Sequence, residues 1–79
     1  MTNKFTPKQG QYLAFIYYYT KLNRRPPAFK DFEIYFKTSP PTVNSMIKKL
    51  EEKGLIQKEK GMARSIKLSV DKEDLPDLE

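Results

Sequence analysis

Apolar residues return at helical spacing in the first third of the chain. Tyr12, Phe15, Ile16 and Tyr19 fall at i, i+3, i+4 and i+7, the signature of one buried helix face. Thr6 is suited to an N-cap, and Pro7 to the first helical position, where a missing N–H costs nothing. A helix is therefore predicted over residues 7–22. Leu13, Tyr17 and Tyr18 lie outside the stripe, so this helix is apolar around much of its circumference. Such a helix needs cover on more than one side. In a chain of 79 residues, whose own core is thin, a second subunit is the expected source. Gly10 costs about 1 kcal/mol relative to alanine in a helix; it either admits a close backbone approach or marks a weak spot.

Pro26 and Pro27 end the first segment. A short helix follows over 28–36, with Phe29, Phe32 and Phe36 turned inward and Lys30 and Glu33 toward water; the spacing leaves Tyr35 unassigned. Ser39 then caps a third helix reaching residue 53, with Pro40 and Pro41 in the first turn, where proline does no damage. Gly54 supplies the stop. In that helix Val43, Met46, Ile47 and Leu50 make the buried stripe. Pro41, Ser45, Lys48 and Glu52 point the other way, flanked by Thr42, Asn44 and Lys49. Residues 55–58 and 65–70 read as strands, the second placing Ile66, Leu68 and Val70 on one face, and residues 59–64 as the loop between them.

Helix, helix, short turn, helix, hairpin is the order of a winged helix-turn-helix: an α+β domain of three helices followed by a two-stranded antiparallel β-hairpin wing. It is expected to occupy residues 1–70, with residues 71–79 as an acidic, flexible tail.

Composition narrows the chemistry. Cysteine and histidine are both absent, which removes disulfides and the usual residues of zinc and of Ser-His or Cys-His catalysis. No enzyme, metal, cofactor or small-molecule effector is expected. The polar start lacks the apolar stretch of a secretory signal, and no run approaches the roughly 18 apolar residues of a membrane span, so a cytoplasmic protein is expected. Charge is unevenly placed. Residues 1–70 hold 14 Lys/Arg against 5 Asp/Glu, a net +9, and residues 71–79 hold one Lys against 5 Asp/Glu, a net −4. A tail of that sign either lies over the basic surface, weakening non-specific DNA binding, or simply frays.

The third helix presents short hydrogen-bonding groups near its start and cations further on, an order suited to base edges and then phosphates. The hairpin adds Lys58, Lys60, Arg64 and Lys67 beside it. Double-stranded DNA is thus the expected partner, with residues 39–53 in the major groove and residues 58–64 on the backbone or minor groove. The DNA-binding residues are expected to be Ser39, Thr42, Asn44, Ser45, Lys48, Lys49, Lys58, Lys60, Arg64 and, from the loop before the second helix, Arg25. A homodimer through the first helix would place two copies on a two-fold site. The alternative is a winged helix used as a protein–protein module, docking through that same helix.

At these residues the chain resembles the LexA DNA-binding domain family, in its small stand-alone bacterial form. The matching stretches are Thr6-Pro7-Lys8-Gln9, Arg25-Pro26-Pro27-Ala28, Ser39-Pro40-Pro41-Thr42-Val43, Leu50-Glu51-Glu52-Lys53-Gly54-Leu55-Ile56 and Gly61-Met62-Ala63-Arg64-Ser65-Ile66. The resemblance implies a transcriptional regulator whose third helix reads the major groove. By position it assigns Ser39, Thr42, Asn44 and Ser45 to the DNA-facing start of that helix, and Lys60 and Arg64 to the wing. Two departures stand out. Lys37 and Thr38 occupy a turn where the family has glycine, and the self-cleaving peptidase domain of the full-length repressors is not expected in a chain ending at residue 79.

Overall fold

In the computed structural model, which describes residues 5–62 and 64–79, the predicted order holds. Helix α1 spans Pro7–Asn23, α2 Phe29–Phe36 and α3 Pro40–Glu52; strands β1 and β2 are Ile56–Gln57 and Lys67–Leu68; a 3₁₀ turn follows at Lys72–Asp74. The expected start of the chain and Ala63 of the wing lie outside the described residues.

Each helix end has a local cause. Thr6 and Gln9 cap each other at the start of α1: the Gln9 N–H donates to Thr6 Oγ1 at 3.2 Å, and the Thr6 N–H to Gln9 Oε1 at 3.0 Å, a reciprocal capping box. Gln9 Oε1 also accepts from Lys53 Nζ at 2.9 Å, which ties the start of α1 to the end of α3. Ala28 has no side chain to cap α2. Asp31 does so instead, its Oδ2 accepting the Ala28 N–H at 2.7 Å, and the helix starts one residue later than predicted. At the end of α2 the glycine-less turn is made by Lys37, which takes the left-handed conformation itself (φ 52°). Ser39 caps α3 by accepting the Thr42 N–H. At its other end Gly54 (φ 74°) donates to Glu51 O and Leu55 to Leu50 O, the paired bonds of a Schellman motif.

The core is built from all three helices and the hairpin: Tyr12, Leu13, Phe15 and Ile16 of α1, Phe32 of α2, Val43, Ile47 and Leu50 of α3, then Leu55, Ile56 and Ile66. Met46, Phe29, Phe36, Leu68 and Val70 pack against it half-buried. The stripes read from spacing on α3 and β2 thus face inward as predicted. Tyr35, left unassigned by the pattern, is partly exposed, with its ring against Phe15. The hairpin ladder is shorter than predicted, pairing Ile56 with Leu68 and Gln57 with Lys67. Beyond it the Ser65 hydroxyl takes over, accepting the Glu59 N–H at 2.9 Å and lying 3.0 Å from Met62 O. Side-chain bonds there replace backbone pairing.

Residues 71–79 depart most from expectation. The segment expected to fray lies along α1 instead. Gln11 grips its backbone twice, Nε2 donating to Asp77 O and Oε1 accepting from Glu79 N–H, each at 2.9 Å. Tyr35 donates its hydroxyl to Glu79 O, and Leu75 and Leu78 pack against the core. Gly10 makes room: a Cβ there would stand 3.1 Å from Pro76 Cγ and 3.0 Å from the Phe5 ring. Part of the apolar circumference of α1 is therefore covered by the chain's own end, while Leu22 stays exposed and Tyr17 and Tyr18 half-buried. Among the described residues, the hydrogen bonds that leave this segment reach α1 and α2.

Tyr12 is fully buried, its ring stacked on those of Phe32 and Phe36 at 5.3 Å and 4.3 Å. Its hydroxyl has no hydrogen-bond partner among the described residues. A buried unsatisfied hydroxyl costs on the order of 1 kcal/mol or more, so Tyr12→Phe should raise stability by about that amount. Burial also raises the Tyr12 pKa above its ordinary 10.0. The folded protein then holds a proton that the unfolded chain releases above that pH, and stability falls as the medium becomes more alkaline. Urea unfolding at neutral and alkaline pH should show the variant more stable and less sensitive to alkali. Equal or lower stability at neutral pH would mean that the hydroxyl is satisfied.

Candidate nucleic-acid interface

The outward face of α3 is continuous and exposed. Pro41, Thr42, Asn44, Ser45, Lys48, Lys49 and Glu52 all stand in solvent, opposite the buried Val43, Ile47 and Leu50. Helical geometry alone enforces this division, since residues on the two faces differ by about half a turn. Pro40 and Pro41 stiffen the first turn without removing a needed bond.

The first turn differs in one respect from its reading as a set of free hydrogen-bonding groups. Ser39 Oγ and Thr42 Oγ1 lie 2.9 Å apart and bond to each other while Ser39 caps the helix. These two hydroxyls are thus partly engaged in holding the helix start, and Asn44 and Ser45, one turn of exposed helix further on, take no part in that cap. Thr42, Ser45 and Lys49 share a shallow groove of about 300 Å³ with Pro41 and Met46. Its mixed lining suits an apolar base-edge group, such as a thymine methyl, as well as a hydrogen-bonding one.

The hairpin forms a second cluster. Lys60 is exposed near the tip, beside Gly61 (φ 79°) and a well-exposed Met62. Lys58 is half-buried and lines an open recess of about 530 Å³ with Pro26, Gln57, Glu59, Met62 and Lys67. Arg25 is exposed on the loop between α1 and α2. Asn44, Lys48, Lys60 and Arg25 thus reach solvent directly, and fold topology alone relates the α3 groove to the hairpin recess.

Arg64 does not fit its expected place as a free wing cation. Its guanidinium turns back into the domain, pairing with Asp31 Oδ2 at 3.0 Å and donating to the Tyr19 hydroxyl and the Pro26 carbonyl. A salt bridge and two further acceptors hold it there. Sequence reasoning missed Asp31 and Tyr19 as its partners. Asp31 was legible as an acidic residue in the first turn of α2, favourable at a helix N-terminus, but nothing local couples it to a residue 33 positions away.

Among the described residues no group of three His, Cys, Asp or Glu side chains could hold a metal ion. No helix among them is long and apolar enough to cross a membrane.

The sequence profile of the MarR family matches residues 5–62, from the residue before the α1 cap to the tip of the hairpin. No curated protein matches the chain. The resemblance to LexA domains implied a winged helix, and the profile match agrees at that level while naming a different winged-helix family. With three helices, an antiparallel hairpin and this match over most of its length, the chain belongs to the MarR family and is a winged-helix, DNA-binding domain of a transcriptional regulator.

Proposed function

We propose that α3 enters the major groove of double-stranded DNA and that the hairpin lies along the adjoining backbone or minor groove. The observation that carries this is the exposed face of α3, short and polar where it begins and cationic where it continues. Asn44 and Ser45 are assigned to base edges, with the groove beside Thr42 taking an apolar edge; Ser39 shapes the turn that presents them. Lys48 and Lys49 meet phosphates from α3, Lys58 and Lys60 from the hairpin, and Arg25 from the preceding loop. The Arg25-Pro26-Pro27-Ala28 and Ser39-Pro40-Pro41-Thr42-Val43 stretches, which resemble those of LexA domains, support the same docking. In this reading the protein acts in the cytoplasm as a regulator without catalysis.

One domain spans few base pairs, so two copies on a two-fold site are proposed. The surface for pairing is the part of α1 left uncovered: Leu22 is 79% exposed, and Tyr17 and Tyr18 are half-buried.

Duplex affinity measured across a salt series tests the docking. Log affinity should fall linearly with log salt, by roughly 0.9 per phosphate contacted, with two chains per duplex at saturation. Folded protein that ignores duplex at low salt would sink the proposal, and one chain per duplex would sink the pairing.

A further inference from the structure

Ile56 and Ile66 seat the base of the hairpin in the core, but its outer part has little backbone pairing. Its ladder has two residue pairs, and a two-stranded ribbon so short is not stable in water alone. The Ser65 bonds run within the loop itself; they shape the loop without fixing its direction relative to α3.

Arg64 ties the loop to the helices. Through Nη1 it reaches Tyr19 Oη on α1 at 3.1 Å, the Pro26 carbonyl in the following loop at 3.2 Å and Asp31 Oδ2 on α2 at 3.0 Å. The guanidinium carbon also lies 6.0 Å from the centre of the Tyr19 ring. Asp31 is itself fixed, since the same oxygen accepts the Ala28 N–H that starts α2. Arg64 meanwhile adopts a left-handed backbone, φ 55°. A non-glycine residue persists there only where its surroundings hold it, and such residues concentrate at functional positions. The Arg64 side chain turns inward while Met62 and Lys60 stay exposed.

We propose that Arg64 is a positioning residue for DNA binding: anchored on Asp31 and Tyr19, it sets the direction in which the hairpin presents Lys58 and Lys60 to the duplex, without touching DNA itself. This rests on the docking proposed above. The competing role is that Arg64 leaves Asp31 and grips a phosphate, and the two differ in sign. Asparagine at position 31 keeps an oxygen for the Ala28 N–H but removes the charge that holds Arg64. If Arg64 positions the wing, Asp31→Asn weakens duplex binding; if Arg64 contacts DNA, freeing it leaves affinity unchanged or tighter. Lysine at position 64 separates them again: its ammonium still serves a phosphate, but its stem ends one bond short of the position where Nη1 meets Tyr19, Pro26 and Asp31.

The experiment is duplex affinity of the full chain for Asp31→Asn, Arg64→Lys and Tyr19→Phe, at a temperature where circular dichroism shows each one folded. Each is repeated in a Lys58→Ala/Lys60→Ala background. The expected result is a loss of roughly 2- to 30-fold for the first two, the range of residues that act without contacting the ligand. A smaller loss is expected for Tyr19→Phe, and all three losses should shrink toward none once Lys58 and Lys60 are gone. Folded variants that bind as well as or better than the unaltered protein would overturn the assignment, as would losses that add fully to those of Lys58 and Lys60. Either result leaves the docking itself standing. Failure of the unaltered protein to bind duplex would remove both readings.

Discussion

Replacing Lys48, Lys49 and Lys60 together by alanine is expected to flatten the salt dependence of duplex binding by roughly 2.7 in log–log slope, about 0.9 for each phosphate that no longer meets a cation. Between about 50 and 200 mM salt the variant's affinity should therefore change by roughly 40-fold less than that of the unaltered protein. The three side chains are exposed and extend from two different elements, α3 and the hairpin. Their removal should leave folding nearly untouched, within about 0.5 kcal/mol for a surface substitution. Lys49, in the last turn of α3, adds at most a helix-dipole contribution of a few tenths. Paired titrations of the two proteins over a salt series measure the slope directly. An unchanged slope would mean that these cations face away from the duplex, and the search would move to Arg25 and the α1–α2 loop.

The second large effect is on stability. Phe32 is fully buried and lies 5.3 Å from the Tyr12 ring, 5.0 Å from Phe15 and 6.4 Å from Phe36, centre to centre. Among the described residues it alone is fully enclosed on α2, so it fixes the first helix of the helix-turn-helix against α1. Phe32→Ala removes that packing and leaves a cavity that rigid neighbours cannot close, at a cost of about 3–5 kcal/mol. In a domain this small each kcal/mol moves the melting temperature by about 4–8 °C. The variant should thus melt on the order of 20 °C lower or fail to fold at growth temperature. Ile34→Ala, two residues along the same helix but with Ile34 65% exposed, is the control and should change stability by no more than about 0.5 kcal/mol. Thermal unfolding followed by circular dichroism compares the two. A fall of less than about 5 °C for Phe32→Ala would mean that the aromatic cluster repacks around the gap.

Several features were legible before the fold was known because their energetics are local. The buried stripe of α3 follows from the 3.6-residue period, the caps at Thr6 and Ser39 from hydroxyls preceding proline-led first turns, and the stop at Gly54 from its tolerance of positive φ. The glycine-less turn after α2 obeys the same local logic with a different outcome. One residue must bear the backbone cost there, and Lys37 meets it at a penalty of about 1 kcal/mol because the flanking helices hold it in place. Of the candidate site, the exposed lysines of α3 and the hairpin were legible from spacing alone. Arg64 was not, because a cation in a polar loop reads the same whether it faces solvent or a carboxylate behind it.

By itself, then, the sequence determined the order of elements, the inward and outward faces of α3, the basic character of the surface on that side and the absence of cysteine and histidine chemistry. Each depends on residue type and near-neighbour spacing. Only the tertiary structure decided that Gln11, Tyr35 and Gly10 receive the C-terminal segment, that Lys53 reaches Gln9, and that Arg64 closes on Tyr19, Pro26 and Asp31. Those contacts join residues 33 to 68 positions apart. Their free energy exists only once the helices have packed and brought the partners within reach, so no local period or propensity records them.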